Sequence, residues 1–309
     1  MKTVLLTGVE GFLGQNLSRE FLEKGWTVVG IDNASVGKNN WLPDDVIFKK
    51  HDICVPYEYT NFEYDLIIHL ATKKIPRYGS ISEVLRQNTI GLMNMVNFAE
   101  TITAKFVYLS SSDIYGKNVS FSETSDSIIG QPTFSRWSYA ISKMWGEQLL
   151  YSTQNDFNFN IIRLFNAYGP YHALSWTAGP QSVFISQALA EKPLTIHGDG
   201  FQDRAFQYVD DAVDGIMRLV DSDFKREIFN IGNPNELITI NMLAAKIWKM
   251  INPDLPVKLT HIKPSDFKYE EVKSRTPDIS KAKRLLGFEP KISLDEGLKR
   301  TIEWQRGVV

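Results

Sequence analysis

Buried apolar runs, glycine-rich or polar loops, and apolar residues at helical spacing follow one another in a fixed order along the first half of the chain. Val4-Leu-Leu-Thr7 leads into Gly8-Val-Glu-Gly11-Phe12-Leu13-Gly14, after which Leu17, Phe21 and Leu22 recur at helical spacing up to Gly25. The pattern reads strand, glycine turn, helix. Thr27 to Ile31 is a second buried strand with Asp32 at its end, followed by a polar loop from Asn33 to Lys38 that includes Ser35 and Gly37. Val46 to Phe48 leads to His51-Asp52-Ile53. Asp65 to Ala71 is another buried strand, ending beside Thr72, Lys73 and Lys74. Val84, Leu85, Ile90, Met93, Val96 and Phe98 mark a helix from Ser80 to Glu100 with Asn88 in its middle. Phe106 to Leu109 delivers Ser110-Ser111-Ser112-Asp113, and Ile161 to Phe165 is the next strand. Strands and helices alternating in this way predict an α/β fold with a doubly wound parallel sheet and right-handed crossovers.

The second half is less regular. Residues 172 to 179 suit a loop entering a smaller lobe, and Ser182 to Glu191 reads as a helix. Phe206 to Asp211 begins a strand and helix returning to the larger lobe, with a short strand at Phe229 to Gly232. Leu243 to Ile251 is helical, closed by Pro253 and Pro256, and Lys281 to Leu286 is a helix stopped by Gly287.

At 309 residues, with 43% hydrophobic and 23% charged positions, the chain has ample material for a core. A net charge of −2 provides no field for nucleic acid. No apolar stretch approaches the ~20 residues of a membrane span, and the first residues lack a signal-peptide core. Cys54 is the sole cysteine, which excludes an intramolecular disulfide and fits a reducing cytoplasm. The five histidines show no metal-ligand spacing, so no metal is expected. His69 is expected to be a core histidine tied to backbone.

Two motifs carry chemistry. The first is the glycine turn, whose small residues let backbone approach a pyrophosphate at a helix N-terminus, as in a Rossmann-like dinucleotide site. Asp32 at the end of the next strand can accept ribose hydroxyls and repels a 2′-phosphate, which argues for NAD over NADP. The second is Tyr139-x-x-x-Lys143, which sets a phenol and an ammonium one turn apart on one helix face. A cation beside the phenol is expected to lower its pKa from ~10 toward the range of a working general base.

Taken in order, Gly8-x-x-Gly11-Phe12-Leu13-Gly14, Asp32-Asn33, Asp52-Ile53, His69-Leu70-Ala71, Ser110-Ser111-Ser112-x-x-Tyr115-Gly116, Tyr139-x-x-x-Lys143, Arg163-Leu-Phe165-Asn166-x-Tyr168-Gly169-Pro170 and Arg275-x-Pro-Asp278 resemble the extended short-chain dehydrogenases/reductases of the NAD-dependent nucleotide-sugar epimerase/dehydratase family. The resemblance runs from about residue 2 to about residue 300. It implies Tyr139 as general base at a sugar hydroxyl, Lys143 holding the nicotinamide ribose, and Ser111 bridging the sugar oxygen and the phenol. It assigns the cofactor to Gly8, Gly11, Phe12, Leu13, Gly14, Asp32, Asn33, Ser35, Gly37, Asp52, Ile53, Leu70, Ala71, Thr72, Lys74, Asn88 and Phe165 beside the catalytic pair. Substrate falls to Ser111, Ser112, Asn166, Val183, Thr195, His197, Arg204, Arg275 and Asp278, with Arg204 and Arg275 on the diphosphate and Thr195 and His197 facing the base. Asp203 and Ala205 depart from the family pattern around Arg204.

The implied organisation is an NAD-binding domain from residues 1–166 plus about 205–230, and a nucleotide-sugar-binding lobe from about 167–204 plus 231–309. The implied activity is 4-epimerisation of a UDP- or dTDP-hexose through a transient 4-keto sugar, by a cytoplasmic homodimer. Decarboxylation of UDP-glucuronate is the alternative, since decarboxylases of this family place Thr-Ser-Glu where this chain has Ser111-Ser112-Asp113, and an arginine in the position of Arg275. A 4-keto reductase, a 4,6-dehydratase and a non-catalytic nucleotide-binding protein rank below these.

Overall fold

Five consecutive buried residues form the first strand, β1 (Thr3–Thr7), and a run without an exposed face belongs in the interior of a sheet covered on both sides. A computed structural model describes residues 1–35, 41–58, 61–74, 80–176, 178–262 and 272–309. After β1 come α1 (Phe12–Glu23), β2 (Thr27–Asp32), β3 (Ile47–Lys50), β4 (Leu66–His69), α2 (Ile81–Ile102) and β5 (Lys105–Ser111). A 3-10 turn (Ser112–Tyr115) precedes α3 (Trp137–Ser152), β6 (Phe159–Leu164), β7 (Ala167–Tyr168), α4 (Pro180–Leu189), β8 (Leu194–His197), β9 (Asp203–Ala205) and β10 (Gln207–Tyr208). The chain closes with α5 (Val209–Val220), β11 (Glu227–Ile231), β12 (Leu237–Thr239), α6 (Ile240–Ile251), β13 (Leu259–Ile262), α7 (Ser280–Leu286) and α8 (Leu294–Arg306).

Seven of these strands make one parallel sheet in the order β11-β6-β5-β4-β1-β2-β3. Along β1, Val4 and Leu6 join the core that contains Leu17 and Phe21 of α1, whereas Leu5 joins the core of Leu92 and Met95 of α2. The two-residue period of a strand thus sends alternate side chains into opposite helical layers. The strand order reverses between β1 and β4, which opens a crevice at their C-terminal ends. The doubly wound sheet expected from the pattern is therefore present.

Outside the large sheet, β7 pairs with β10, β9 with β12, and β8 with β13. The pairing of β8 with β13 lies beside α4 and α6. Helix α8 has no counterpart in the expected elements. Its start, Ser293-x-x-Glu296, has Ser293 accepting from the Glu296 N–H at 3.3 Å, and Leu298 and Ile302 face the core. Gly287 does end α7, at φ +63°.

Candidate active site

The glycine turn after β1 is tight enough that side chains there would strike backbone. Gly8 sits at φ +70°, and a Cβ on it would lie 2.8 Å from the Cα of Ala71, while one on Gly14 would lie 2.5 Å from the carbonyl oxygen of Gly8. Helix α1 starts at Gly11 without a side-chain cap, so its positive end is left for an anion. Asp32 is held open by main-chain donors, accepting from Glu10 N at 3.2 Å and Ala34 N at 2.9 Å. Burial pushes its carboxyl pKa up while those bonds pull it down. Its remaining lone pairs suit a ribose diol. Asn33 accepts from the Ser35 N–H, and Gly37 lies outside the described residues.

Around the crevice, the Thr7 hydroxyl oxygen accepts from Leu70 N at 3.1 Å and Ala71 N at 3.0 Å. It also meets His69 Nδ1 at 3.0 Å, so His69 is bonded to a side chain and not to backbone as expected. With two donors already aimed at the oxygen, its own proton goes to Nδ1 and the ring is neutral. Asn88 bridges the Lys73 main chain (2.7 and 3.2 Å) to the Ser142 hydroxyl at 2.9 Å, tying the loop after β4 to α3. Asp52 accepts from Cys54 N at 2.9 Å, and Ile53 is buried against Gly91. Phe12 stacks on His172 with ring centroids 4.0 Å apart, and Leu13 packs partly buried on the core. Phe165 is fully buried with Ile114, Tyr115 and Phe121, so its ring buttresses the end of β6.

Tyr139 and Lys143 lie on α3, packed on the end of β5 and the 3-10 turn. Lys143 Nζ donates to the Leu109 carbonyl at 2.6 Å, 4.6 Å from the Tyr108 ring centroid and 5.8 Å from that of Tyr139. Burial lowers its pKa to about 7, against a partial recovery from Glu147. The Tyr139 phenol moves opposite to expectation. Burial first, and then the charge of Asp113, raise its pKa, while hydrogen bonds from Ser111 and Thr72 lower it. A cation bound to a carbonyl 5.8 Å from the ring does not outweigh the loss of water.

Asp113 is the second feature of this pocket. Arg275 Nη1 donates to its Oδ1 at 2.6 Å and to the Ser112 hydroxyl at 3.4 Å, and Arg136 Nη2 lies 3.8 Å from the same Oδ1. Ser111 turns toward it as well, accepting from the Asp113 N–H at 3.1 Å. Burial alone would raise the Asp113 pKa, but Arg275, Lys74 and Arg136 hold it well below the usual carboxylate range. Arg275, expected at a diphosphate, therefore stands beside Ser112 and Asp113, next to the proton pair. Its Nε and Nη2 are buried and, among the described residues, have no acceptor. Arg136 escaped the sequence reading, although its place just before the Tyr-x-x-x-Lys helix was a usable signal. Asp113 entered that reading as the end of the Ser110-Ser111-Ser112-Asp113 run and in the decarboxylase comparison.

Farther out, Thr195 and His197 share the half-exposed face of β8. Gln187 pairs with Thr195 at 2.9 Å, and Trp176 meets His197 edge-on at 4.4 Å. Val183 is buried on α4, and Asn166 donates to the Ala205 carbonyl at 3.0 Å. Arg204 bends back to the carbonyls of Asp203 and Lys273. Asp278 accepts from Ser280 N at 2.9 Å, a turn that introduces α7 and lowers its pKa. Among the described residues no cluster of His, Cys, Asp and Glu could hold a metal, and no helix is long and apolar enough to cross a membrane.

The reversed strand order, the glycine cradle and the Asp32 acceptor define a dinucleotide-binding α/β protein with a Tyr/Lys pair at the crevice. Residues 4–232 match the model of the NAD dependent epimerase/dehydratase family, and the chain belongs to that family. It is an NAD-dependent enzyme of the kind the motifs resemble. UDP-N-acetyl-alpha-D-glucosaminuronate decarboxylase of Bacillus cytotoxicus is 33% identical, aligned over 99% of this chain and 98% of its own length. UDP-glucuronic acid decarboxylase 6 of Arabidopsis thaliana is 34% identical over 96% of this chain and 86% of its own. Among solved structures, UDP-glucuronic acid 4-epimerase from Bacillus cereus, in complex with UDP-glucuronic acid and NAD, superposes with a TM-score of 0.85. It is 27% identical, with 99% of this chain and 100% of that one covered.

Proposed function

We propose that this enzyme decarboxylates a UDP-linked hexuronic acid at the crevice between the glycine cradle and the β8 side. The observation that carries the reading is the Arg275–Asp113 ion pair beside Ser111 and Tyr139, its guanidinium buried and its Nε and Nη2 without acceptors among the described residues. A guanidinium is a fork that fits a carboxylate bidentately. The two decarboxylases similar to the chain over nearly its whole length move the reading from the expected 4-epimerisation to this alternative.

The glycines at 8, 11 and 14 and Asp32 would hold NAD, which when bound takes up the hydride from C4 of the sugar and later returns it. Tyr139 receives the O4 proton, and Ser111 holds O4 through its hydroxyl. The resulting 4-keto uronate is a β-keto acid. Its C5–C6 bond breaks, carbon dioxide leaves, and the electron pair runs to O4, where Ser111 and Tyr139 stabilise the enolate. A proton from solvent water then adds at C5, leaving hydroxide, and Tyr139 returns its proton to O4 as C4 is reduced. Asp113 makes cleavage the favoured branch. It remains an anion, so a substrate carboxylate sharing Arg275 with it is repelled until carbon dioxide departs. An uncharged C6 hydroxymethyl would leave the Arg275 nitrogens unsatisfied, at a cost of about 1 to 3 kcal/mol or more for a charged group.

The division into a cofactor domain and a discontinuous sugar-nucleotide lobe belongs to this reading, as does a homodimer through α2 and α3. Met93 and Trp145 are the exposed large apolar side chains near the middle of those helices. The deciding experiment incubates the purified enzyme and NAD, without reductant, with UDP-glucuronate and with UDP-N-acetylglucosaminuronate. Release of carbon dioxide with a UDP-pentose product is expected from one of them, and Arg275→Ala should abolish it. A product of unchanged mass and new retention time would return the assignment to 4-epimerase.

A further inference from the structure

Glu147 follows Lys143 by four residues, as Lys143 follows Tyr139, so the three lie on one face of α3. It is 5% exposed and fully engaged. Oε1 accepts from the Ser110 hydroxyl at 2.5 Å and from Arg163 Nε at 3.0 Å, and Oε2 accepts from Arg163 Nη2 at 2.7 Å. The fork therefore fastens α3 to the ends of β5 and β6 at one point. That point matters because Ser110 lies between Leu109, whose carbonyl accepts from Lys143, and Ser111, which reaches Tyr139. A carboxylate buried this deeply costs free energy unless it is paired, and its pairing with Arg163 is bidentate.

From this geometry we infer that Glu147 is a positioning residue for the Tyr139–Lys143 pair, holding the Lys143 ammonium in register with β5 and favouring its charged state. The inference deepens the proposed reaction and rests on it only for the identity of the substrate. The groups around Lys143 are few. Glu147 on its own helix favours the cation, Lys74 beyond β4 opposes it, His69 on β4 is neutral, and the Tyr108 and Tyr139 rings flank it. Among the described residues, Glu147 is thus the anion that supports Lys143.

The test reads Lys143 directly. NAD-loaded enzyme labelled with 13C at lysine Cε is titrated by NMR, with the Lys143 signal assigned by its loss in Lys143→Met. In Glu147→Gln the Lys143 midpoint is expected about one unit lower than in the wild type. The alkaline limb of kcat should move in the same direction while KM stays unchanged. Glu147→Gln strands Arg163, so Glu147→Gln/Arg163→Met is prepared beside it to remove both charges. A merely structural Glu147 would let this double variant regain the wild-type midpoint, whereas the inference requires that it stay low. An unmoved Lys143 midpoint in either folded variant overturns the inference. Because this readout needs no sugar nucleotide, failure of the wild type to release carbon dioxide would overturn only the substrate reading.

Discussion

Tyr139 and Lys143 sit in a pocket that disfavours the charge of each, burial raising the phenol's pKa and lowering that of the amine to about 7. Two such groups hold a proton between them more readily than either does alone, because the ionised phenol and the ammonium satisfy one another's lost hydration. Ser111 and Thr72 add the hydrogen bonds that favour the phenolate. Removing the hydroxyl in Tyr139→Phe deletes the proton acceptor but leaves a ring that already packs with 7% exposure. Turnover should fall by about 10²- to 10⁴-fold, with a melting temperature close to that of the wild type. Retention of wild-type kcat in a folded Tyr139→Phe would remove Tyr139 from the chemistry.

At the level of elements, the Thr7 hydroxyl adds a side-chain tie to the main-chain pairing of β1 and β4 at the crevice. Thr7 ends β1, and its oxygen accepts the N–H groups of Leu70 and Ala71 just past β4 while donating to His69. Thr7→Val keeps the shape and leaves two buried N–H groups without an acceptor, at about 1 to 3 kcal/mol each. Urea unfolding should register the loss, NAD binding should weaken, and Thr7→Ser should restore most of both. Equal stability of the Val and Ser variants would show that packing of the β1 end matters and the hydroxyl does not. The strands of the large sheet were legible because buried parallel strands carry near-continuous apolar runs, as in Leu66–Ile68 and Phe106–Leu109. Helix α8 was overlooked despite its Ser293-x-x-Glu296 start, because its apolar residues are sparse and most of its length is charged or polar. Strand β13 has no fully buried position, and its pairing with β8 is decided by tertiary contact. In the site, Gly8, Asp32, Tyr139 and Lys143 were legible because spacing encodes their geometry. The meeting of Arg275 with Asp113 joins residues 162 positions apart, which no local pattern records.

Across the whole molecule, two histidines contribute to the response to acid. His69 ends β4 fully buried, and His172, half-buried, stacks on Phe12 at the mouth of the glycine cradle; burial first, then Lys143 and Lys74 respectively, lower their pKa values to about 3. In the unfolded chain each titrates near ~6.5. Above that pH both states are neutral and neither histidine contributes. Between pH 6.5 and 3 the unfolded chain binds protons that the folded chain refuses, so stability falls as the pH falls, by up to about 1.4 kcal/mol per unit for each histidine. Asp113 acts in the same direction over a lower window: its depressed pKa adds stability above the ordinary carboxylate value, lost as the pH falls below ~4. Lys143 is protonated in both states below pH 7 and adds no slope in the acid range. Melting temperatures measured from pH 7.5 to 4.5 should therefore decline for the wild type and decline less for His69→Gln and for His172→Gln. The latter frees Phe12 as well, so NAD should dissociate from the wild type before global unfolding as the pH falls, and show a weaker pH dependence in His172→Gln. Parallel melting curves for all three proteins would mean that the histidines charge without cost, and that acid sensitivity lies elsewhere in the chain.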